Sequence, residues 1–114
     1  MIEKVVLDYL GEKLGVTVLA ERPAREPEKY VLLEKTGSST ENYIEWATLA
    51  VQSYAPTMYE AMLLNAQVKS AMREITALQD ISRCDCNSDY NYTDTAKKKY
   101  RYQAVFDIVY LGGD

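Results

Sequence analysis

Cys84 and Cys86 stand two residues apart, and on a strand that spacing turns both thiols to the same side. Their Cα atoms would lie ~6.5–7 Å apart, at the upper limit for a disulfide. Zinc would need two more ligands, and the chain has no histidine. Two reduced thiols are therefore expected. A redox role requires an accessible thiolate of low pKa, and the adjacent Asp85 disfavours negative charge on sulfur. The only basic cluster is Lys97, Lys98 and Lys99 with Arg101, which suits phosphates, an acidic patch on a protein, or a solvated loop. Asp85, Asp89 and Asp94 match no calcium-loop spacing and have no base or nucleophile beside them. Gly37-Ser38-Ser39 lacks the lysine of a phosphate-cradling loop, and Asn91-Tyr92-Thr93 is a bare glycosylation pattern. The first residues alternate apolar side chains with Glu3, Lys4 and Asp8, unlike a secretory signal. No catalytic constellation emerges. The expectation is a protein that is not an enzyme and uses neither cofactor nor metal.

The elements that would position these residues fit into one domain spanning residues 1–114. Hydrophobic residues make up 47% and charged residues 26% of the chain, so an ordinary packed core is expected and disorder is disfavoured. No apolar run approaches the ~20 residues of a membrane span. The net charge is -4, and neither half of the chain is basic, which weakens a nucleic-acid reading. Ten tyrosines against one Trp and one Phe are the compositional oddity. Tyrosine joins a large apolar ring to a polar tip and is enriched at protein interfaces.

Periodicity predicts a helix over residues 2–14, with Ile2, Val5, Val6, Tyr9, Leu10 and Leu14 on its apolar side and Gly15 as its stop. A short β-rich segment covers 16–20. A loop over 21–29 follows, marked by two prolines and mixed charges. Residues 30–34 read as a strand, 36–40 as a turn, and 41–53 as a long strand with Tyr43, Glu45, Ala47, Leu49 and Val51 on one face. Thr57-Met-Tyr-Glu60 is a capping box. It opens a helix to about Ile75, with Met58, Ala61, Leu64, Val68, Ala71, Met72 and Ile75 as its apolar stripe. Residues 81–92 form a polar strand with Arg83, Asp85, Asn87 and Asp89 on one face. Residues 93–99 form a loop and 100–111 a strand with Tyr100, Tyr102, Ala104, Phe106, Ile108 and Tyr110 together. A frayed end closes the chain at 112–114. The fold class is α+β, in the order α-β-β-β-α-β-β, with a mostly antiparallel sheet. Two helices cannot cover both faces of such a sheet. They are expected on one face, leaving the other for solvent or a partner.

Three stretches resemble a known family. Glu28-Lys-Tyr-Val-Leu-Leu-Glu-Lys-Thr-Gly37 is similar to the second-strand region of small tailed-phage proteins. Leu49-Ala-Val-Gln-Ser-Tyr-Ala55, leading into Tyr59-Glu60-Ala61, is similar to the segment that follows it. Ser88-Asp-Tyr-Asn-Tyr-Thr-Asp-Thr95 with Tyr100-Arg-Tyr-Gln-Ala-Val-Phe-Asp107 is similar to the C-terminal hairpin. The whole chain thus resembles the tail-terminator (tail-completion) group of long-tailed phages and prophages, although Cys84-Asp85-Cys86 is not a feature of that group. The resemblance implies a non-enzymatic virion protein at the neck, made in the host cytoplasm. It implies a ring of copies, typically six, capping the head-proximal end of the tail tube. Such a ring stops polymerisation and presents the surface for the head connector or head-closure protein, while DNA only passes through its lumen.

A ring whose subunits meet head to tail needs two different patches per subunit. On this reading Tyr43, Trp46, Tyr90, Tyr92, Tyr100 and Tyr102 supply subunit or tube contacts, because large aromatics dominate interface energies. Gly37, Ser38 and Ser39 in one loop, and Lys97, Lys98, Lys99 and Arg101 in another, reach the tube, the lumen or the next subunit. One alternative is another neck component, a head-closure or connector-adaptor protein. Another, from a different class, is a small nucleic-acid-binding module using the lysine cluster. That module would bind DNA with an affinity that falls steeply with salt; a flat titration against duplex and single-stranded DNA at low salt removes it.

Overall fold

A computed structural model describes residues 1–112, and Gly113 and Asp114 of the expected frayed end lie outside the described residues. The elements are α1 (Ile2–Leu14), β1 (Thr17–Leu19), β2 (Tyr30–Glu41), β3 (Ile44–Tyr54), α2 (Met58–Arg73), β4 (Ile81–Asn91) and β5 (Arg101–Leu111), with a 3-10 turn at Ile75–Ala77 after α2. The five strands form one sheet in the order β1-β2-β3-β5-β4. Only β1 and β2 are parallel; the other neighbours are antiparallel. This is the expected α+β domain.

Each helix is written locally. Gly15 ends α1 with φ 67°, the left-handed conformation that costs glycine least. Glu3 in the first turn and Lys13 in the last complement the helix dipole. At the start of α2 the Thr57 hydroxyl accepts the Glu60 N–H at 3.2 Å and donates to the Glu60 carboxylate at 3.0 Å. The carboxylate therefore braces the capping hydroxyl. The 3-10 turn puts Ile75 into the core beyond the helix end.

Both helices lie on one face of the sheet. Ile2, Val6, Tyr9 and Leu10 of α1 and Leu64, Val68, Ala71 and Met72 of α2 share a single core with Val31, Leu33, Ala47, Leu49, Val51, Ala104, Phe106 and Ile108. The strand residues in this set alternate, as a one-sided core requires. The Tyr9 hydroxyl donates to the Ala71 carbonyl at 2.7 Å, tying α1 to α2. Val5, expected within the α1 stripe, is instead largely exposed. At a helical advance of 100° per residue it falls on the rim of that stripe rather than its centre.

Three sequence expectations are corrected. Residues 36–40 are not a turn: β2 runs through them to Glu41, with a bulge between Lys35 and Gly37. The reversal falls at Asn42 and Tyr43, whose φ values of 51° and 67° define a two-residue hairpin turn. Tyr43 therefore belongs to the turn and not to the face of Glu45, Ala47 and Leu49. Bulges in β4 between Ile81 and Arg83 and between Cys86 and Ser88 break the expected acidic face. Arg83 and Asp85 lie on the open side, whereas Asp89 turns to the helices and takes hydrogen bonds from Asn65 and Lys69, each at 3.2 Å. A bulge advances the side-chain alternation by one, which strict period-2 reading of a polar strand misses.

Two methionines of α2 test this layering. Met72→Ala should cost about 2–5 kcal/mol, because it hollows the shared core. Met62→Ala, on the exposed side, should change stability by no more than ~0.5 kcal/mol. Urea unfolding of the two variants measures both.

Candidate functional site

The face without helices is covered at one end only. There the segment between β1 and β2 folds back as a strap over Tyr30, Leu32 and Tyr54, which form a second small apolar cluster with Leu19. Tyr30 and Tyr54 stack with centroids 4.5 Å apart and planes 7° apart. Glu26 fastens the strap. It accepts hydrogen bonds from the Tyr30 hydroxyl at 2.7 Å and from Arg22 at 2.9 Å, and it is ion-paired with Lys99. These partners, Lys99 foremost and then Tyr30 and Arg22, hold the Glu26 carboxyl well below the usual range, at about 2. Burial and the Glu26 charge push the Tyr30 phenol upward.

Beyond the strap the open face is a polar ladder. The Tyr54 hydroxyl donates to Gln52 at 3.0 Å, Gln52 donates to Gln103 at 2.8 Å, and Gln103 donates to the Tyr90 hydroxyl. Further along, Thr48 and Asn87 both donate to the Asp107 carboxylate, at 2.9 and 3.0 Å. These bonds pair the polar groups of three neighbouring strands with one another.

The residues singled out from sequence divide into two ends and a middle. Tyr43 sits at the hairpin tip and is 85% exposed. Trp46 lies on the open face of β3 opposite Val109 and is 38% exposed. Tyr90, on the open face of β4, meets Tyr92 edge-on with centroids 6.0 Å apart. Arg101 is not a loop residue. It begins β5, lies 4.4 Å from the centre of the Tyr92 ring and 5.6 Å from that of Tyr54, and donates to the Tyr54 hydroxyl at 2.8 Å. Tyr102 pairs across β5 with Ser53 and Asn91, on the helix side of the sheet, so it does not belong to the open face. Tyr100 precedes β5, is half-buried, and its carbonyl accepts the Ala55 N–H at 3.2 Å. Gly37, Ser38 and Ser39 are exposed in β2 beyond its bulge. Lys97 and Lys98 are exposed, whereas Lys99 is held by Glu26.

The thiols are free. Burial, then Asp85, pushes Cys84 up to about 12, and burial with Asp89 raises Cys86, so both are protonated and poorly nucleophilic at neutral pH. Among the described residues no group of three or more His, Cys, Asp or Glu is placed to hold a metal ion, and no helix is long and apolar enough to cross a membrane. A hollow of about 490 Å³ opens at the hairpin end between Met1, Ile2, Val5, Leu78, Ile81 and Leu111.

Sequence reasoning missed two features. The strap and its anchor Glu26 depend on contacts across 73 residues of chain, which no local pattern reveals. The exposed stripe Tyr59, Met62 and Leu63 on α2 was legible: apolar residues at i, i+3 and i+4 on the side away from Ala61, Leu64 and Val68 mark a second apolar face. Compared with known proteins, the chain matches no family model and no curated sequence.

Two outcomes follow from this geometry. Glu26 has a depressed folded pKa, so its contribution is complete above about 4.5 and is lost as pH falls toward about 2. Glu26→Gln should therefore flatten the loss of stability across that window, as read by thermal melts at stepped pH. Tyr43 occupies a left-handed position that costs a side-chain-bearing residue roughly 1 kcal/mol. Tyr43→Gly should raise the melting temperature by a few degrees, on the order of 4–8 °C per kcal/mol for a domain of this size.

Proposed function

We propose that this chain is a structural component of a phage or prophage neck, a tail-terminator-type protein that caps the head-proximal end of the tail tube as a ring. The observation that carries the reading is the β2–β3 hairpin. Eight consecutive residues of β2, Glu34–Glu41, are exposed, and the turn beyond them places Tyr43 in a backbone conformation that glycine would occupy more cheaply. β1 stops at Leu19 opposite Leu32, so the outer strand of the hairpin leaves an open sheet edge, and an open edge whose turn carries an aromatic ring at some cost in strain is suited to contact with another molecule. The domain measures 45 × 25 × 25 Å, long enough for the hairpin end and the strap end to meet different neighbours. The resemblance over the three stretches quoted above supplies the setting: copies of itself, the tube protein, and the head connector or head-closure protein. The polar ladder, whose side chains bond to one another, suits a surface that DNA passes without being held.

The test is tube polymerisation. Purified tail-tube protein from a phage of the matching type is polymerised with and without this chain, and lengths are measured by electron microscopy. Capping gives shorter tubes whose ends carry added density and no longer elongate. Unchanged lengths together with binding to isolated portal or connector rings would move the protein to another neck position.

A further inference from the structure

We infer that the acidic hairpin tip of one copy docks on the apolar N-terminal half of α2 in the next copy, beneath the lysine loop, and that this is the head-to-tail contact of the assembly. The inference rests on the ring reading and names its interface.

The two patches lie at opposite ends of the sheet. β3 runs from the tip at Ile44 to Tyr54, and α2 begins at Met58; eleven strand residues at ~3.3 Å each separate the ends by roughly 35 Å. At the tip, Tyr43, Ile44 and Leu111 are exposed. No lysine or arginine occurs anywhere from Thr36 to Val68, and the hairpin itself carries Glu41 and Glu45. Among the described residues Glu41 has no ion-pair partner. At the other end, Tyr59, Met62 and Leu63 are 67%, 45% and 46% exposed on consecutive turns of α2. Lys29 joins this end through Glu60 at 3.4 Å. The 93–99 loop joins it through Thr93, whose hydroxyl lies 3.9 Å from the Met58 sulfur. Within that loop Lys97 and Lys98 are exposed and, among the described residues, form no ion pair, in contrast to Lys99.

One end is thus apolar and acidic, with Glu41 lacking an ion partner among the described residues, and the other is apolar and basic, with Lys97 and Lys98 likewise. Neither patch is self-complementary: tip against tip brings glutamates together, and loop against loop brings lysines together. Opposite ends of successive copies are the complementary pairing, and such a heterologous contact closes into a ring or runs on as a filament. The aromatic and aliphatic side chains would form the centre of the contact, with the charges at its rim setting register and excluding wrong partners.

Charge reversal with rescue tests this. Lys97→Glu with Lys98→Glu, and separately Glu41→Lys, change exposed side chains and should leave folding intact by thermal melt. Each variant should raise the concentration needed to cap tubes by on the order of tenfold, and the protein carrying all three changes should recover most of the loss. A photo-crosslinking residue in place of Tyr43 should join the tip to a peptide spanning Thr57–Gln67 of another copy. If the reversed variants cap as well as the original chain, or the crosslink maps elsewhere, this interface is wrong while the capping reading stands. If the original chain does not cap or join to itself at all, the reading beneath it fails as well.

Discussion

Two helices each turn one apolar stripe to the sheet, and together they shield only one face of its five strands. The consequences of that one-sided burial run through the molecule. Val31, Leu49, Val51, Phe106 and Ile108 are sealed beneath α1 and α2, and burial of this kind is the main favourable term in folding. The opposite face must be stabilised by other means. At one end the strap lays a second apolar cluster over Tyr30 and Tyr54, pinned by a glutamate with three partners. Across the middle, glutamine, tyrosine, threonine and aspartate side chains bond to one another between strands. At the far end the hairpin meets the start of α1, through Lys35 and Glu3 at 3.4 Å, and the chain after β5, through Gly112 and Tyr43.

This gradient explains why β2 and β3 change character along their length. β2 is buried over its first four residues and exposed over the remaining eight. β3 does the reverse, because it runs the other way. At this end the helix-side set, Leu33, Leu49 and Val51, differs from the set on the opposite face, which includes Gln52 and Tyr54, so a shift of register by one residue would turn polar groups into the core. The covered end therefore fixes the pairing, and the hairpin inherits a defined direction from it.

The sequence carried the element order, the fold class, the single-faced helix layer, the extent of α1 and the start of α2, because each rests on short-range signals: the apolar period of Ile2, Val6, Tyr9 and Leu10, the glycine at 15, and Thr57 with Glu60; the end of α2 came at Arg73 rather than near Ile75, which a 3-10 turn carries into the core. The strand interior of β5 was equally plain from its alternation. What was not legible depends on geometry between segments. Gly37-Ser38-Ser39 has the composition of a turn, yet the chain continues straight through it and turns at Asn42-Tyr43, where a tyrosine takes a glycine's place. The bulges in β4 displaced Asp89 from the face shared by Arg83 and Asp85, and no residue type in that strand announces them. Tyr102 fell on the helix side with Ala104 and Phe106, as its spacing required, so grouping it with Trp46 and Tyr90 mixed two faces. The pairing of Glu26 with Lys99 spans most of the chain and could come only from the folded structure.

We propose that this chain acts by fastening to copies of itself and to the end of a tube. The most direct measurement is electron microscopy of particles from a phage or prophage carrying the gene and from a matched deletion. The deletion is predicted to give overlong tubes, or tubes that never join to heads, with complementation restoring normal tails. Joined particles of normal tail length in the deletion strain would contradict the claim.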